Sequence, residues 1–90
     1  NVENAAFPQS QCAEASALSA MVLAGEREVV EVAVIGADDP LCTPCGGCRQ
    51  RLIEFAKETV PVHLCDSLGV RATMTLGDLM PHPFGPRKHA

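Results

Sequence analysis

The apolar residues of this chain fall in blocks, and the first block has the period of a helix. Residues 10–23 are rich in Ala, Leu, Met and Glu, which favour helix. Ser10 can cap its start and Gly25 can end it. Four apolar residues recur at the helical period and share one face: Ala13, Ala17, Met21 and Ala24. The first predicted element is therefore an amphipathic helix.

The next blocks alternate between the patterns of a strand and a helix. Residues 29–35 are rich in Val and Ile with almost no polar interruption, which predicts a strand buried on both faces. A loop over residues 36–43 separates this strand from a second helix, which starts near Pro44 or Cys45 and runs to about Lys57. The apolar face of that helix consists of Leu52, Ile53, Phe55 and Ala56.

The end of the chain predicts two further strands and a short helix. Residues 60–65 and 70–75 have the composition of strands, and Thr75 can cap a short helix that Pro81 and Pro83 terminate. The order strand, helix, strand implies a parallel pair joined by a right-handed crossover. We therefore expect a three-layer α/β/α fold in one domain over residues 1–90, without internal repeats.

The length of 90 residues limits the core, because a chain of this size buries about two thirds or less of its unfolded surface. A bound metal or an oligomer interface is expected to add stability, since each favours only the folded form. The opening residues 1–4 contain neither an initiator Met nor the signal of a helix or strand. We therefore expect a further segment of the fold upstream.

Charge and composition argue against two classes of partner. A net charge of -4 and a pI near 5.2 provide no basic surface for a phosphate backbone, and three Phe without Tyr or Trp leave few rings for stacking on bases. There is no run of about 18 apolar residues and no charged-then-apolar leader. The sequence therefore indicates neither long nucleic acid nor a membrane as a partner.

The cysteines are typical of metal ligation rather than of a disulfide scaffold. Their number, five, is odd, and Cys42, Cys45 and Cys48 are each separated by two residues. We therefore expect reduced thiols and a cytoplasmic protein.

Thiols lie at both of the longer predicted helix starts. Cys12 is close to the first start and Cys45 and Cys48 are at the second, where free N–H groups and the helix dipole favour thiolate. One helical turn can offer the second pair to a single ion, and Cys12 can add a third sulfur. A tetrahedral zinc with three protein ligands keeps a fourth position for water, which is the arrangement of catalytic sites.

Two charged residues accompany the thiols. Glu14, two residues beyond Cys12, can face the open position without ligating the metal and can shuttle protons. Three thiolates leave the site net negative, and Arg49 is the cation nearest in sequence that can donate to a ligand sulfur. Cys42 is an alternative fourth ligand, which would make the zinc site structural, and Cys65 is a weaker candidate.

In this combination the sequence resembles the cytidine deaminases, specifically the small type with three cysteine ligands. Cys-Ala-Glu at 12–14 and Pro-Cys-Gly-Gly-Cys-Arg-Gln at 44–50 match the two zinc motifs of that family. Asn-Val-Glu-Asn-Ala at 1–5 is similar to its ribose-binding stretch, and Phe-Gly-Pro at 84–86 is similar to its C-terminal motif. The resemblance extends over nearly the whole chain.

The resemblance implies the hydrolytic deamination of cytidine and deoxycytidine, a step of pyrimidine salvage, by a zinc-containing homotetramer with shared active sites. It implies that Asn1 and Glu3 hydrogen-bond the sugar hydroxyls. It also implies that the backbone of Ala13 contacts the base and that Phe84 reaches the pyrimidine in a neighbouring subunit.

The sequence departs from the family pattern in two places. The family usually begins with a helix and two strands, including a Phe that packs on the substrate, and these do not precede Asn1 here. Ala15 stands where many relatives have an Arg that donates to a zinc-bound sulfur, which would leave more of that role to Arg49.

Three other functions are compatible with parts of the pattern. Deaminases of aminopyrimidine antibiotics of the blasticidin type share both zinc motifs, although Asn1, Glu3 and Phe84 favour a nucleoside. A zinc-stabilised module without catalysis is a second alternative. Editing of DNA or RNA is disfavoured by the acidic charge.

Overall fold

The part of the chain that is described contains three α-helices, three strands and one short 3-10 helix. The structure is a computed structural model that describes residues 1–36 and 41–85. A short 3-10 helix at Phe7–Gln9 comes first. The elements that follow are α1 (Ala13–Leu23), β1 (Val32–Ile35), α2 (Gly46–Ile53), β2 (Pro61–Asp66), β3 (Gly69–Thr75) and α3 (Leu76–Leu79).

The strands form one mixed sheet in the order β1-β2-β3. β1 is parallel to β2, with Val32 opposite Val62, and the crossover between them contains α2. β3 returns antiparallel to β2, with Thr75 opposite Pro61. The predicted parallel pair and the α/β fold are therefore confirmed.

The core lies on one face of this sheet. All three helices and the first two strands contribute buried side chains to it, because α2 packs between α1 and α3 above the sheet. Its members are Leu18, Val34, Leu52, Ile53, Ala56, Val60, Val62, Leu64 and Leu76. On the opposite face, Ala33, Ile35 and Thr73 are exposed among the residues that the structure describes.

The first helix begins later than the sequence predicts. Cys12, with φ -67° and ψ 153°, is the residue that caps α1, so the prediction that Ser10 caps it is wrong. Gln11 is held extended by its pairing with Val2, and Ser10 Oγ instead accepts the Asn4 N–H at 3.2 Å. The helix buries Ala15 and Leu18, whereas Ala13 and Ala17 of the predicted apolar face are exposed.

The predictions for the first strand and the second helix also need correction. β1 has only Val34 fully buried, and Ile35 is 68% exposed, because this strand lies at the sheet edge and one face of the sheet is open. α2 ends at Ile53 rather than near Lys57. The chain leaves the helix there because Phe55 O accepts the Val29 N–H at 2.7 Å.

The short last helix is confirmed together with its cap. The Thr75 side chain accepts the Asp78 N–H and the Asp78 carboxylate accepts the Thr75 N–H, a reciprocal capping box. Two parts of the sequence predictions, residues 37–40 of the loop and Pro86 of the C-terminal motif, lie outside the described residues.

Candidate metal centre

The starts of α1 and α2 lie side by side and carry the three cysteines of the two motifs. Cys12 caps α1, Cys45 caps α2 with φ -65° and ψ 165°, and Cys48 is the third residue of α2. An extended residue directly before a helix directs its side chain across the free N–H groups of the first turn. The two caps and the first turn of α2 therefore bring all three sulfurs to one point.

The distances between the sulfurs fit a zinc ion. Cys12 Sγ and Cys45 Sγ are 3.8 Å apart, and all three Sγ atoms lie within 4.8 Å of one another. Zinc with Zn–S bonds of about 2.3 Å in a tetrahedron separates its sulfurs by about 3.8 Å. The donor set, three thiolates, is one that zinc prefers. The residues present therefore fit zinc.

The other two cysteines are not part of this cluster in the described part of the chain. Cys42 Sγ faces Thr43 O, and Cys65 Sγ donates to His63 O on β2. Neither provides the fourth sulfur that a closed structural zinc site would need. Three sulfurs from protein side chains are the arrangement that keeps one coordination position free.

Local contacts change the pKa values of Cys45 and Cys48 in opposite directions. The backbone N–H and the side chain of Cys48 lower the pKa of the Cys45 thiol. Burial raises the pKa of Cys48 to about 12, and its contacts with Cys45 and Cys12 and the charge of Glu14 add to that rise. The metal-free cluster thus keeps the proton of its buried member, and a divalent cation would have to displace it.

Glu14 lies beside the sulfurs without joining them. It is half-buried in the first turn of α1, and its negative charge contributes to the raised pKa of Cys48. With Ala13 it lines an open, largely apolar cavity of about 520 Å³ between α1 and β1. An acidic side chain at the junction of this cavity and the cluster can move protons there.

The opening segment runs next to the cluster. Val2 and Gln11 exchange two backbone hydrogen bonds of 2.8 Å each, and Gln11 directly precedes Cys12. Asn1 and Glu3 flank Val2 and are exposed. The pairing therefore brings the two predicted sugar-binding residues to the side of the metal cluster with their side chains accessible.

Arg49 does not have the contacts that the sequence predicted. Its guanidinium donates to Pro44 O at 2.7 Å, to Thr43 Oγ1 at 3.0 Å and to Leu79 O at 2.9 Å. It therefore joins α2 to the preceding loop and to α3, and the prediction that it donates to a ligand sulfur is corrected. The reason is geometric, since three oxygens satisfy the guanidinium away from the sulfurs.

The arginine that meets a sulfur is Arg51, which sequence reasoning missed. Its Nη1 lies 3.9 Å from Cys48 Sγ. The two residues are separated by three positions on α2, and residues with this spacing are neighbours on a helix surface. The spacing of three residues between Cys48 and Arg51 was therefore the available signal. Arg49 is adjacent to Cys48 in sequence, and adjacent side chains point to different sides of a helix.

Phe84 is the remaining predicted site residue, and the structure places its ring in solvent. The side chain is 87% exposed. Its backbone is bound by Gln50 of α2, a second residue that sequence reasoning missed. No local signal could have found this contact, because it joins positions 34 residues apart.

In residues 1–36 and 41–85, no helix combines the length and the apolar character needed to cross a bilayer.

Comparisons with known proteins agree with this centre. Residues 1–64 match the family described as the cytidine and deoxycytidylate deaminase zinc-binding region. The chain is 34% identical over 84 residues to a cytidine deaminase of Sporosarcina psychrophila, covering 93% of this chain and 62% of that protein. It is 33% identical over 85 residues to a cytidine deaminase of Mycoplasma genitalium, covering 93% of this chain and 65% of that protein.

A solved structure has the same overall fold. The cytidine deaminase of Burkholderia pseudomallei superposes with a TM-score of 0.84 at 40% identity, over 93% of this chain and 68% of that one. The chain thus spans a little under two thirds of the length of the two relatives above. With its family match, its relatives and its three converging cysteines, the chain belongs to the cytidine and deoxycytidylate deaminase zinc-binding family.

Proposed function

We propose that this chain carries the zinc centre of a cytidine deaminase, which hydrolyses cytidine and deoxycytidine to uridine and deoxyuridine with release of ammonia. The observation that carries the proposal is the convergence of Cys12, Cys45 and Cys48 on one point with Glu14 beside it. Two relatives by sequence and one solved structure of the same fold bear the name cytidine deaminase. Pyrimidine salvage is the proposed context.

The proposed chemistry divides between the metal and Glu14. Zinc held by the three sulfurs would supply Lewis acidity, which lowers the pKa of water. The Glu14 carboxylate takes one proton of the attacking water and delivers it to the ring nitrogen N3. A second proton goes to the exocyclic nitrogen, the bond from C4 to oxygen forms, and the bond from C4 to nitrogen breaks to release ammonia.

The substrate contacts are proposed from the family resemblance and from the position of the opening segment. Asn1 and Glu3 hydrogen-bond the sugar hydroxyls, which is supported by the pairing of Val2 with Gln11 beside Cys12. The backbone of Ala13, which lines the same cavity as Glu14, contacts the base. Phe84 of a second copy covers the base, in a homotetramer. The proposed location is the cytoplasm, where the five free thiols stay reduced.

The test separates an enzyme from a zinc-stabilised module. Glu14→Gln removes the proton shuttle and keeps the shape, so zinc content is expected to stay the same while cytidine turnover falls at least about 10³-fold. Cys12→Ser is expected to lose the metal, and Cys42→Ser, outside the cluster, to keep both zinc and turnover.

Zinc is measured by elemental analysis and turnover by the ultraviolet absorbance of cytidine. A zinc-loaded wild-type chain that leaves cytidine unchanged, or a Glu14→Gln variant with full turnover, would contradict the proposal. Turnover of a blasticidin-type antibiotic without turnover of cytidine would shift the assignment to that substrate class.

A further inference from the structure

Phe84 is held in a fixed backbone position although its ring is not buried. The ring is 87% exposed, so packing does not explain the position. Pro83 restricts the backbone before it, and Gly85, with φ 75°, turns the chain directly after it. The chain therefore directs a large apolar side chain into solvent at a defined place.

One side chain binds both polar groups of the Phe84 backbone. Gln50 Nε2 donates to Phe84 O at 3.1 Å, and the Phe84 N–H donates to Gln50 Oε1 at 3.0 Å. A primary amide that pairs with both the N–H and the C=O of one residue fixes its orientation as well as its distance. We call this pair of bonds the Gln50 clamp.

The Gln50 clamp ties the ring to the metal centre through α2. Gln50 is two residues after Cys48 on the same helix. The residue between them, Arg49, donates to Leu79 O at 2.9 Å, so two consecutive residues of α2 hold the segment 79–84. The helix that carries two of the three sulfurs thus also determines the position of the Phe84 backbone.

We infer that Gln50 is a positioning residue, whose amide sets the Phe84 ring for contact with the pyrimidine in the site of a second copy of this chain. The inference rests on the proposed function. Gln50 is argued to act through Phe84, since its amide nitrogen and its amide oxygen each bind the Phe84 backbone. Its removal should therefore weaken substrate binding without moving the metal.

The test removes the clamp and asks whether its effect passes through the ring. Gln50→Met keeps the length of the side chain and loses both hydrogen bonds. We expect the Phe84 amide proton to exchange about tenfold faster, and KM for cytidine to rise about 3–10-fold with kcat within about twofold. Zinc content should not change. Lys57→Met, an exposed change of similar size, is the control and should leave the exchange rate, KM, kcat and zinc content unchanged.

The deciding measurement is a double-mutant cycle with Phe84→Ala. If the clamp acts through the ring, Gln50→Met adds nothing to the KM of Phe84→Ala. Gln50→Glu, which keeps the acceptor for the Phe84 N–H and loses the donor, should give an intermediate KM, and it replaces Gln50→Met in the cycle if that variant does not fold.

Two results would overturn the positioning role: an unchanged exchange rate of the Phe84 amide, or additive effects on KM in the cycle. Either result would be compatible with cytidine turnover by the wild type, so the proposed function would stand. A wild-type chain that holds zinc but does not consume cytidine would instead remove the proposed function and this inference together.

Discussion

Cys45 and Cys48 differ in how easily they lose a proton, and this difference affects metal binding. Cys48 is fully buried, which raises its pKa to about 12, whereas contacts with Cys48 lower the pKa of Cys45. A metal ion binds thiolates, so its binding to this cluster must expel the proton that Cys48 keeps at neutral pH. The proton count of the free protein therefore controls the affinity for zinc.

Zinc affinity is expected to rise with pH across the neutral range. Below pH 12 the free protein holds the Cys48 proton and the zinc-bound protein does not, so raising the pH favours the bound form. Release of that one proton alone corresponds to about a tenfold gain in affinity per pH unit. Competition with a chromophoric chelator at pH 6, 7 and 8 measures it. An affinity independent of pH would show that the free cluster is already fully deprotonated.

Arg51 is expected to tune the metal centre. Its guanidinium is 3.9 Å from Cys48 Sγ, where it offsets part of the negative charge of three thiolates. Arg51→Met should weaken zinc binding about tenfold, measured with the same chelator. Arg27→Met, an exposed arginine before β1, is the matched control. Equal zinc affinity of the two variants would remove Arg51 from the site.

At the scale of secondary structure, Arg49 joins three elements. It spans the loop before α2, the start of α2 and the end of α3 through three hydrogen bonds to oxygen. Loss of such a side chain removes hydrogen bonds between elements and should therefore lower the free energy of unfolding.

Arg49→Met is therefore expected to lower the free energy of unfolding by about 2 kcal/mol, because the carbonyl oxygen of the half-buried Leu79 loses its charged donor. Urea denaturation of the zinc-loaded protein measures it, with Arg27→Met as control. Zinc affinity should stay within about twofold of the wild type. A loss of zinc affinity without a loss of stability would restore the sequence-based prediction that Arg49 serves the sulfurs.

For the molecule as a whole, a metal ion in the cluster would connect the starts of two helices. Cys12 begins α1, and Cys45 and Cys48 begin α2, so one ion would cross-link the two helix starts. The apolar cavity along β1 and the exposed Ile35 leave the chain with a limited core. A ligand that binds only the folded chain stabilises it in proportion to the logarithm of its concentration over Kd.

Removal of zinc is thus expected to lower the free energy of unfolding by about 4 kcal/mol at a free zinc concentration 1,000 times Kd. Thermal denaturation with and without a chelator measures the shift in Tm. Cys12→Ser, which is expected to lose the metal, should show no shift in Tm when the chelator is added. An identical Tm with and without the chelator in the wild type would mean that the cluster does not hold the helix starts together.

The sequence by itself determined the parts of this protein that depend on near neighbours. The order of elements, the parallel pair and the Thr75 cap follow from periodicity and capping, which act within a few residues. The candidate cluster was visible for the same reason, since Cys45 and Cys48 share one turn and Cys12 stands at the other helix start.

Tertiary structure decided what depends on contacts between distant segments. α2 ends at Ile53 because Phe55 pairs with Val29, and β1 exposes one face because of its place in the sheet. The contact of Arg49 with Leu79 O and the binding of Phe84 by Gln50 were settled in the same way. Such contacts join residues that are far apart in the sequence. They leave no hydrophobic period and no local propensity from which they could be predicted.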